Sequence, residues 1–439
     1  MTSTKGPIES RSGWRPILQG SMAERAREVV FEIASALENP PPPLSLLGGP
    51  PTSIQLRQFD LAQGKAGFAL FYHYAAEALG IARYQELAAL NLTDAIESLA
   101  DTPMGPSLYH GFIGVAWAVE HLRSRDNSSA FSDDPNEQID EVLLELLSVT
   151  PWRNHYDLIS GLVGFGVYAA ERLPRPTAQE CARRILGHLC DLATPRPEGL
   201  AWLTPPENLP PDTRAKYPQG VYNLGMAHGS PAILAILTLL RERQFEPTQI
   251  ESILEQAVPW LLTQRMKQHA TYRFPSFVME GTAPAPSRHS WCYGDPGVAA
   301  ALFQAARTLC RPDWEAIAVD TIEESARHLG ELEGIRDAGL CHGAAGLAHL
   351  YNRLYQATNR PSLREAACFW LDRALRMRIP DQGVAGFQSV IVDENQHTKR
   401  INDPGILMGA AGIGLSFLAA ISTSDPSWDR MLLVGVPHI

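Results

Sequence analysis

Residues 294–307, GDPGVAAALFQAAR, carry the pattern that decides the fold: Gly-x-x-Gly, followed at once by an apolar run of about three to four helical turns. The same punctuation opens GKAGFALFYHYAAEAL at Gly64, GFIGVAWAVEHL at Gly111, GLVGFGVYAAERL at Gly161, GAAGLAHLYNRLY at Gly343 and GAAGIGLSFLAAI at Gly409. A seventh copy, GSPAILAILTLL at Gly229, has Ala232 in place of the second glycine. Successive copies lie 47 to 68 residues apart, a spacing that marks a repeat architecture.

Between the copies lie more charged, amphipathic helices such as Asn136 to Ser148 and Thr248 to Arg265. In the first, Ile139, Val142, Leu143, Leu146 and Leu147 recur at helical spacing, which predicts one buried face. Each repeat thus reads as a buried helix followed by a surface helix. A chain of such hairpins hides every apolar helix by closing into a ring. With an outer helix near Ser21 to Glu38, the expectation is an all-α fold, an α/α toroid of about seven inner and seven outer helices in one domain spanning residues 1–439. Glycines at the inner-helix starts are expected to allow close approach near the ring axis.

Composition excludes several alternatives. The 439 residues include 37 Lys plus Arg against 48 Asp plus Glu, a formal charge of −11, which argues against a nucleic-acid partner. The longest uncharged run, Gly405 to Ser424, is rich in Gly and Ala and resembles the other repeats, so it reads as a buried helix, and no transmembrane segment is expected. The first twenty residues lack the pattern of a secretory signal, which leads to the expectation of a cytoplasmic protein. Six cysteines without a C-x-x-C pair are too sparse for a disulfide scaffold. Cys181, Cys190, Cys310 and Cys368 fall in amphipathic stretches and read as inert core thiols.

Chemistry collects just before the glycines. Two places before the first glycine of each repeat stand Ala62, Tyr109, Ile159, Ala227, Cys292, Cys341 and Leu407; one place before stand Gln63, His110, Ser160, His228, Tyr293, His342 and Met408. Equivalent repeats bring these residues to one rim. Cys292, Cys341 and His342 then form two thiolates and an imidazole, the three-ligand set of a catalytic Zn2+ with an open fourth position, one ion per chain. The competing reading is a pair of small packing residues. His110, with no partner evident, reads as structural, whereas His228 shares the rim with the proposed metal.

The segments HYDLISGLVG (His155 to Gly164), MAHGSPA (Met226 to Ala232), RHSWCYGDPG (Arg288 to Gly297) and GLCHGAAG (Gly339 to Gly346) resemble the lanthionine synthetase C-like family over nearly the whole chain. The resemblance implies a toroid with a central zinc that adds peptide cysteine thiols to dehydroalanine or dehydrobutyrine, forming lanthionine or methyllanthionine rings. It places the zinc ligands on Cys292, Cys341 and His342. It places the catalytic His on His228, an Asp on Asp157, an Arg on Arg288, and aromatic neighbours of the first cysteine on Trp291 and Tyr293. Taken alone, Asp157 and Arg288 fit an ion pair or a helix cap equally well. The missing second glycine after His228 is a departure from the pattern and puts the local backbone there in doubt.

The implied partners are a dehydrated precursor peptide with its leader, together with a lanthipeptide dehydratase and an exporter, whose complex would bring the chain to the membrane. Absence of a preceding dehydratase or kinase region points to a stand-alone cyclase. Alternatives are a relative that adds glutathione to dehydroamino acids, a zinc-containing peptide-binding scaffold, and a toroid glycosidase using Asp157 and Asp295. Pro-rich or irregular inserts near 39–51, 195–220, 271–287 and 383–404 are candidates for covering the site, and FQSVIVDENQ within the last is read as a hairpin.

Overall fold

The computed structural model describes residues 13–42, 58–125, 134–266, 272–329, 334–392 and 397–436. The seven repeat helices form an inner ring: α2 (Lys65–Leu79), α4 (Phe112–Arg125), α6 (Leu162–Arg172), α9 (Ser230–Glu242), α11 (Asp295–Thr308), α13 (Ala344–Thr358) and α15 (Ala410–Ile421). Each touches the next in chain order, and α15 closes onto α2. Around them stand α1 (Gly20–Leu37), α3 (Ala82–Asp101), α5 (Glu137–Leu146), α7 (Pro176–Leu192), α10 (Pro247–Thr263), α12 (Pro312–Arg327) and α14 (Pro361–Arg376). Helix α1 packs on α15 and so supplies the outer partner of the last repeat. Proline opens α7, α10, α12 and α14, at a position where its missing N–H costs nothing.

The inner helices are buried on all sides; in α11 every residue from Asp295 to Ala306 is inaccessible, as is Ala410 to Ala420 in α15. Such helices need neighbours all round, which the ring provides. The outer helices bury one face. In α5 that face holds Asp140 and Leu143, while Val142 is 48% exposed, against the sequence expectation. Asp140 goes inward because Arg172, Tyr168 and Thr177 bond its carboxylate. Cys310 also departs from expectation: it lies in the exposed turn after α11 and not in the core.

The glycines serve a tighter purpose than helix approach alone. A Cβ on the second glycine would meet the carbonyl oxygen six residues earlier: Leu108 O at 1.8 Å for Gly114, Trp291 O at 2.3 Å for Gly297, Leu340 O at 1.8 Å for Gly346 and Ile406 O at 1.8 Å for Gly412. Each rim loop therefore folds back onto the first turn of its own helix, and the loops bond to one another. Ala62 N–H donates to Tyr109 O (2.9 Å), Leu158 to Ala227 (3.2 Å), Ala227 to Cys292 (3.3 Å), Cys292 to Cys341 (3.2 Å), Cys341 to Leu407 (2.8 Å) and Ile406 to Ala62 (2.7 Å). Residues two or three places before the first glycines thus link six of the seven neighbouring loop pairs along the rim.

Two small sheets and the short helix α8 (Pro211–Lys216) decorate this helical ring. Strands β1 (Ala193–Arg196), β2 (Gly199–Thr204), β3 (Val221–Asn223) and β4 (Phe277–Val278) pair antiparallel in that order, drawn from two of the inserts. Strands β5 (Ser389–Val392) and β6 (Thr398–Ile401) pair with Ser389 opposite Ile401, forming the expected hairpin. Most of the 39–51 insert, residues 43–51, lies outside the described residues, as do the first twelve.

Candidate metal centre and proton-transfer site

Rim equivalence brings Cys292, Cys341 and His342 together, with one ligand atom from each within 4.8 Å of the others. Tetrahedral zinc with bonds of about 2.0–2.3 Å needs ligand atoms roughly 3.3–3.8 Å apart, so the cluster matches in donors and needs a closing movement of no more than about 1–1.5 Å. The Cys341 thiol, donating to Cys292, is the largest influence holding the Cys292 thiol well below its ordinary pKa; His342 and the Arg288 charge add to it, against burial. Ser290 Oγ lies 3.4 Å from Cys292 Sγ, and the Asp337 carboxylate, held by the Gly339 and Val390 amides, lies 3.8 Å from His342 Nε2.

His228 stands one repeat away from Cys292, at the mouth of α9. Its Nδ1 bonds Asp157 Oδ2 at 2.6 Å, while Asp157 Oδ1 accepts the Ser160 amide at 2.8 Å. One carboxylate thus caps its own loop and fixes the imidazole of the next repeat, leaving Nε2 free to exchange protons. Burial lowers the His228 pKa, but the Asp157 hydrogen bond and charge, with the Cys292 charge, outweigh it and hold the group above its ordinary value. Pro231 and Ala232 take up the first turn of α9, so the missing glycine leaves the helix start intact.

A cavity of about 570 Å³ opens beside this pair. Asp157, His228, Arg288 and Tyr293 line it, and Leu209, Val221 and Phe277 from the inserts wall it. Tyr293 OH accepts from Asn223 Nδ2 at 3.1 Å, and burial keeps the phenol protonated. Arg288 lies 5.6 Å from the centre of the Tyr293 ring. The loop needs Gly294: its φ is +105°, and a Cβ there would meet Arg288 O at 1.7 Å.

Trp291 is 1% exposed, donates its indole N–H to Leu432 O at 2.9 Å and does not line the cavity. One expectation is corrected. His110 does have a partner: its Nδ1 bonds Asp60 Oδ2 at 2.8 Å. The sequence signal was present, since Asp60 and Asp157 both stand four places before a first glycine and His110 and His228 both stand one place before the next. The glycosidase alternative loses its second carboxylate, because Asp295 accepts the Arg273 and Phe274 amides at 2.8 Å each.

The fold and rim define an α/α toroid with a Cys2His group able to hold a metal ion beside a His–Asp pair. The sequence profile described as lanthionine synthetase C-like protein matches residues 55–433, and the chain belongs to that family. It is 25% identical over 287 residues to the nisin biosynthesis protein NisC of Lactococcus lactis subsp. lactis, covering 59% of this chain and 65% of that protein. It is 32% identical over 110 residues to the glutathione S-transferase LANCL1 of Danio rerio, covering 23% of this chain and 25% of that one. The matches span less than two thirds of either relative. A solved structure of nisin cyclase superposes with a TM-score of 0.70 at 20% identity, covering 93% of this chain and 97% of that one, which establishes the shared fold. Among the described residues no helix is long and apolar enough to cross a membrane.

Proposed function

We propose that this protein is a zinc-dependent lanthipeptide cyclase, a single domain over residues 1–439, that adds peptide cysteine thiols to dehydroalanine or dehydrobutyrine. The reading rests on one arrangement: Cys292, Cys341 and His342 clustered on the rim where Asp157 fixes His228 beside an open cavity. Zinc held by those three residues would supply the positive charge that keeps a substrate thiol ionised and nucleophilic near neutral pH. Asp157 presents the His228 Nε2 to the cavity, where it takes the thiol proton or delivers one to the α-carbon. As the C–S bond forms, negative charge develops on the adjoining carbonyl oxygen, and Arg288 and the Tyr293 hydroxyl line the cavity as donors to it. Trp291 supports Cys292. The substrate is a dehydrated precursor peptide bearing a leader, made by a partner dehydratase and passed to an exporter, so the chain works in the cytoplasm and reaches the membrane only through that complex.

The test is incubation of the purified protein with a peptide carrying dehydroalanine and cysteine. Ring closure consumes the thiol without a change in mass, whereas addition of glutathione, the chemistry named for the Danio rerio relative, raises the mass and needs the free tripeptide. His228→Ala should retain zinc and lose ring closure. A variant that closes rings at the wild-type rate would contradict the assignment.

A further inference from the structure

The rim carries a second His–Asp pair, built as the first one is. Asp60 Oδ1 caps the Gln63 amide at 2.7 Å and its Oδ2 holds His110 Nδ1 at 2.8 Å. Asp157 does the same for Ser160 and His228. In both cases the carboxylate belongs to one repeat and the imidazole to the next. Capping the loop needs only one oxygen. The other, on a carboxylate that is fully buried, fixes the tautomer of a histidine whose side chain is 36% exposed. Fixing a tautomer matters where the far nitrogen has work to do.

Ring order places His228 beside the metal group and His110 directly across the rim from it, three repeats from Cys292 in one direction and three from Cys341 in the other. His228 precedes Cys292 by one repeat; on the other side of Cys341 and His342 come the last repeat, with Asp403, then the first, with Asp60, and then His110. Six of the seven junctions between neighbouring rim loops are hydrogen-bonded, and loops joined in that way stand about 5 Å apart, as paired strands do, which gives a ring of roughly 11 Å across. Side chains from opposite arcs of such a rim can meet over its centre. Asp60 and Asp403 are the carboxylates facing His110, and Asp403 is itself buried and raised in pKa, first by burial and also by the Asp60 charge.

We propose that His110, fixed by Asp60, is a second proton-transfer group for thioether formation, complementing His228 and facing the metal group from across the rim. The assignment rests on the cyclase reading above. The S–H bond breaks and its proton passes to His228; the S–Cβ bond forms; the alkene electron pair moves to the α-carbon, which takes a proton from His110 Nε2. The step involves no net oxidation, and exchange with water resets both imidazoles. His110 is then a catalytic residue and Asp60 a positioning residue.

The experiment compares the full-length wild type, His110→Ala, His110→Gln and Asp60→Asn on the dehydroalanine and cysteine peptide, with zinc content measured on each. We expect full zinc in all four and at least about a hundredfold slower closure in both His110 variants, the lower bound for a positioned acid or base. Free imidazole should restore part of the His110→Ala loss, and Asp60→Asn should shift the pH profile. An active wild type whose zinc-replete His110 variants close rings equally fast, or whose His110→Ala deficit imidazole leaves untouched, overturns this assignment alone. A zinc-replete wild type that closes no ring overturns the cyclase reading and this assignment with it.

Discussion

Replacing Gly346 with alanine tests whether the rim loops hold the metal group in place. The new Cβ would lie 1.8 Å from Leu340 O and 2.7 Å from its carbonyl carbon, where carbon contacts settle at about 3.5–4.0 Å. Leu340 must therefore retreat by more than about 1 Å, and it is joined directly to Cys341. The Cys341 amide donates to Leu407 O at 2.8 Å and its carbonyl accepts the Cys292 amide at 3.2 Å, so the shift strains two links of the rim. It also exceeds several times over the roughly 0.2 Å tolerance of a metal–ligand distance. Overpacking costs about 1–3 kcal/mol, and the helical preference of Ala over Gly returns about 1 kcal/mol of that. The control is Gly187→Ala in the exposed middle of α7, where a Cβ meets open space. It should gain roughly 0.5–1 kcal/mol. Urea denaturation and zinc stoichiometry on both variants provide the assay. Gly187→Ala should be stabilised with full zinc, and Gly346→Ala destabilised with much of its zinc lost. A Gly346→Ala protein as stable and as zinc-replete as the wild type would refute the reasoning.

Asp157→Asn removes the charge that outweighs burial at His228, so the histidine pKa should fall from its raised value and the limb of the pH–rate profile that reports it should move to lower pH. Loss of a charge-assisted hydrogen bond, about 1.5–3 kcal/mol, should slow ring closure roughly 10- to 150-fold, measured at each variant's pH optimum; an unmoved profile counts against the pair. Arg172→Met should cost about 3–5 kcal/mol in chemical denaturation, because the fully buried guanidinium pairs with Asp140, Asp134 and Glu120. That penalty should shrink at low pH: the Arg172 hydrogen bond holds the Asp134 carboxyl below its ordinary pKa, so its contribution is complete above about pH 4 and is lost as pH falls further. A penalty independent of pH would show that the pairing is not its source.

The ring was legible because its signal repeats. Seven glycine-punctuated helices allow residues far apart in sequence to be superposed by position, and that superposition put Cys292 beside Cys341 without any knowledge of contacts. The four-stranded sheet was not legible, because β3 and β4 span three and two residues and their pairing joins separate inserts, leaving too little alternation to read. Apolar spacing alone assigned Val142 to the buried face of α5, since it gives no weight to an aspartate whose burial is stabilised by a distant arginine. Trp291 stood next to a ligand in sequence, yet its side chain runs down to Leu432 while its neighbour Tyr293 faces the cavity. The partner of His110, fifty residues away, is visible in sequence only when the position four before one glycine is compared with the position one before the next.

The central claim is that the rim binds zinc through Cys292, Cys341 and His342, and metal analysis of the purified protein beside Cys341→Ala tests it most directly. The account predicts about one zinc per wild-type chain, as expected of a three-ligand site, and little in the variant. Equal zinc in both proteins, or none in either, would contradict it.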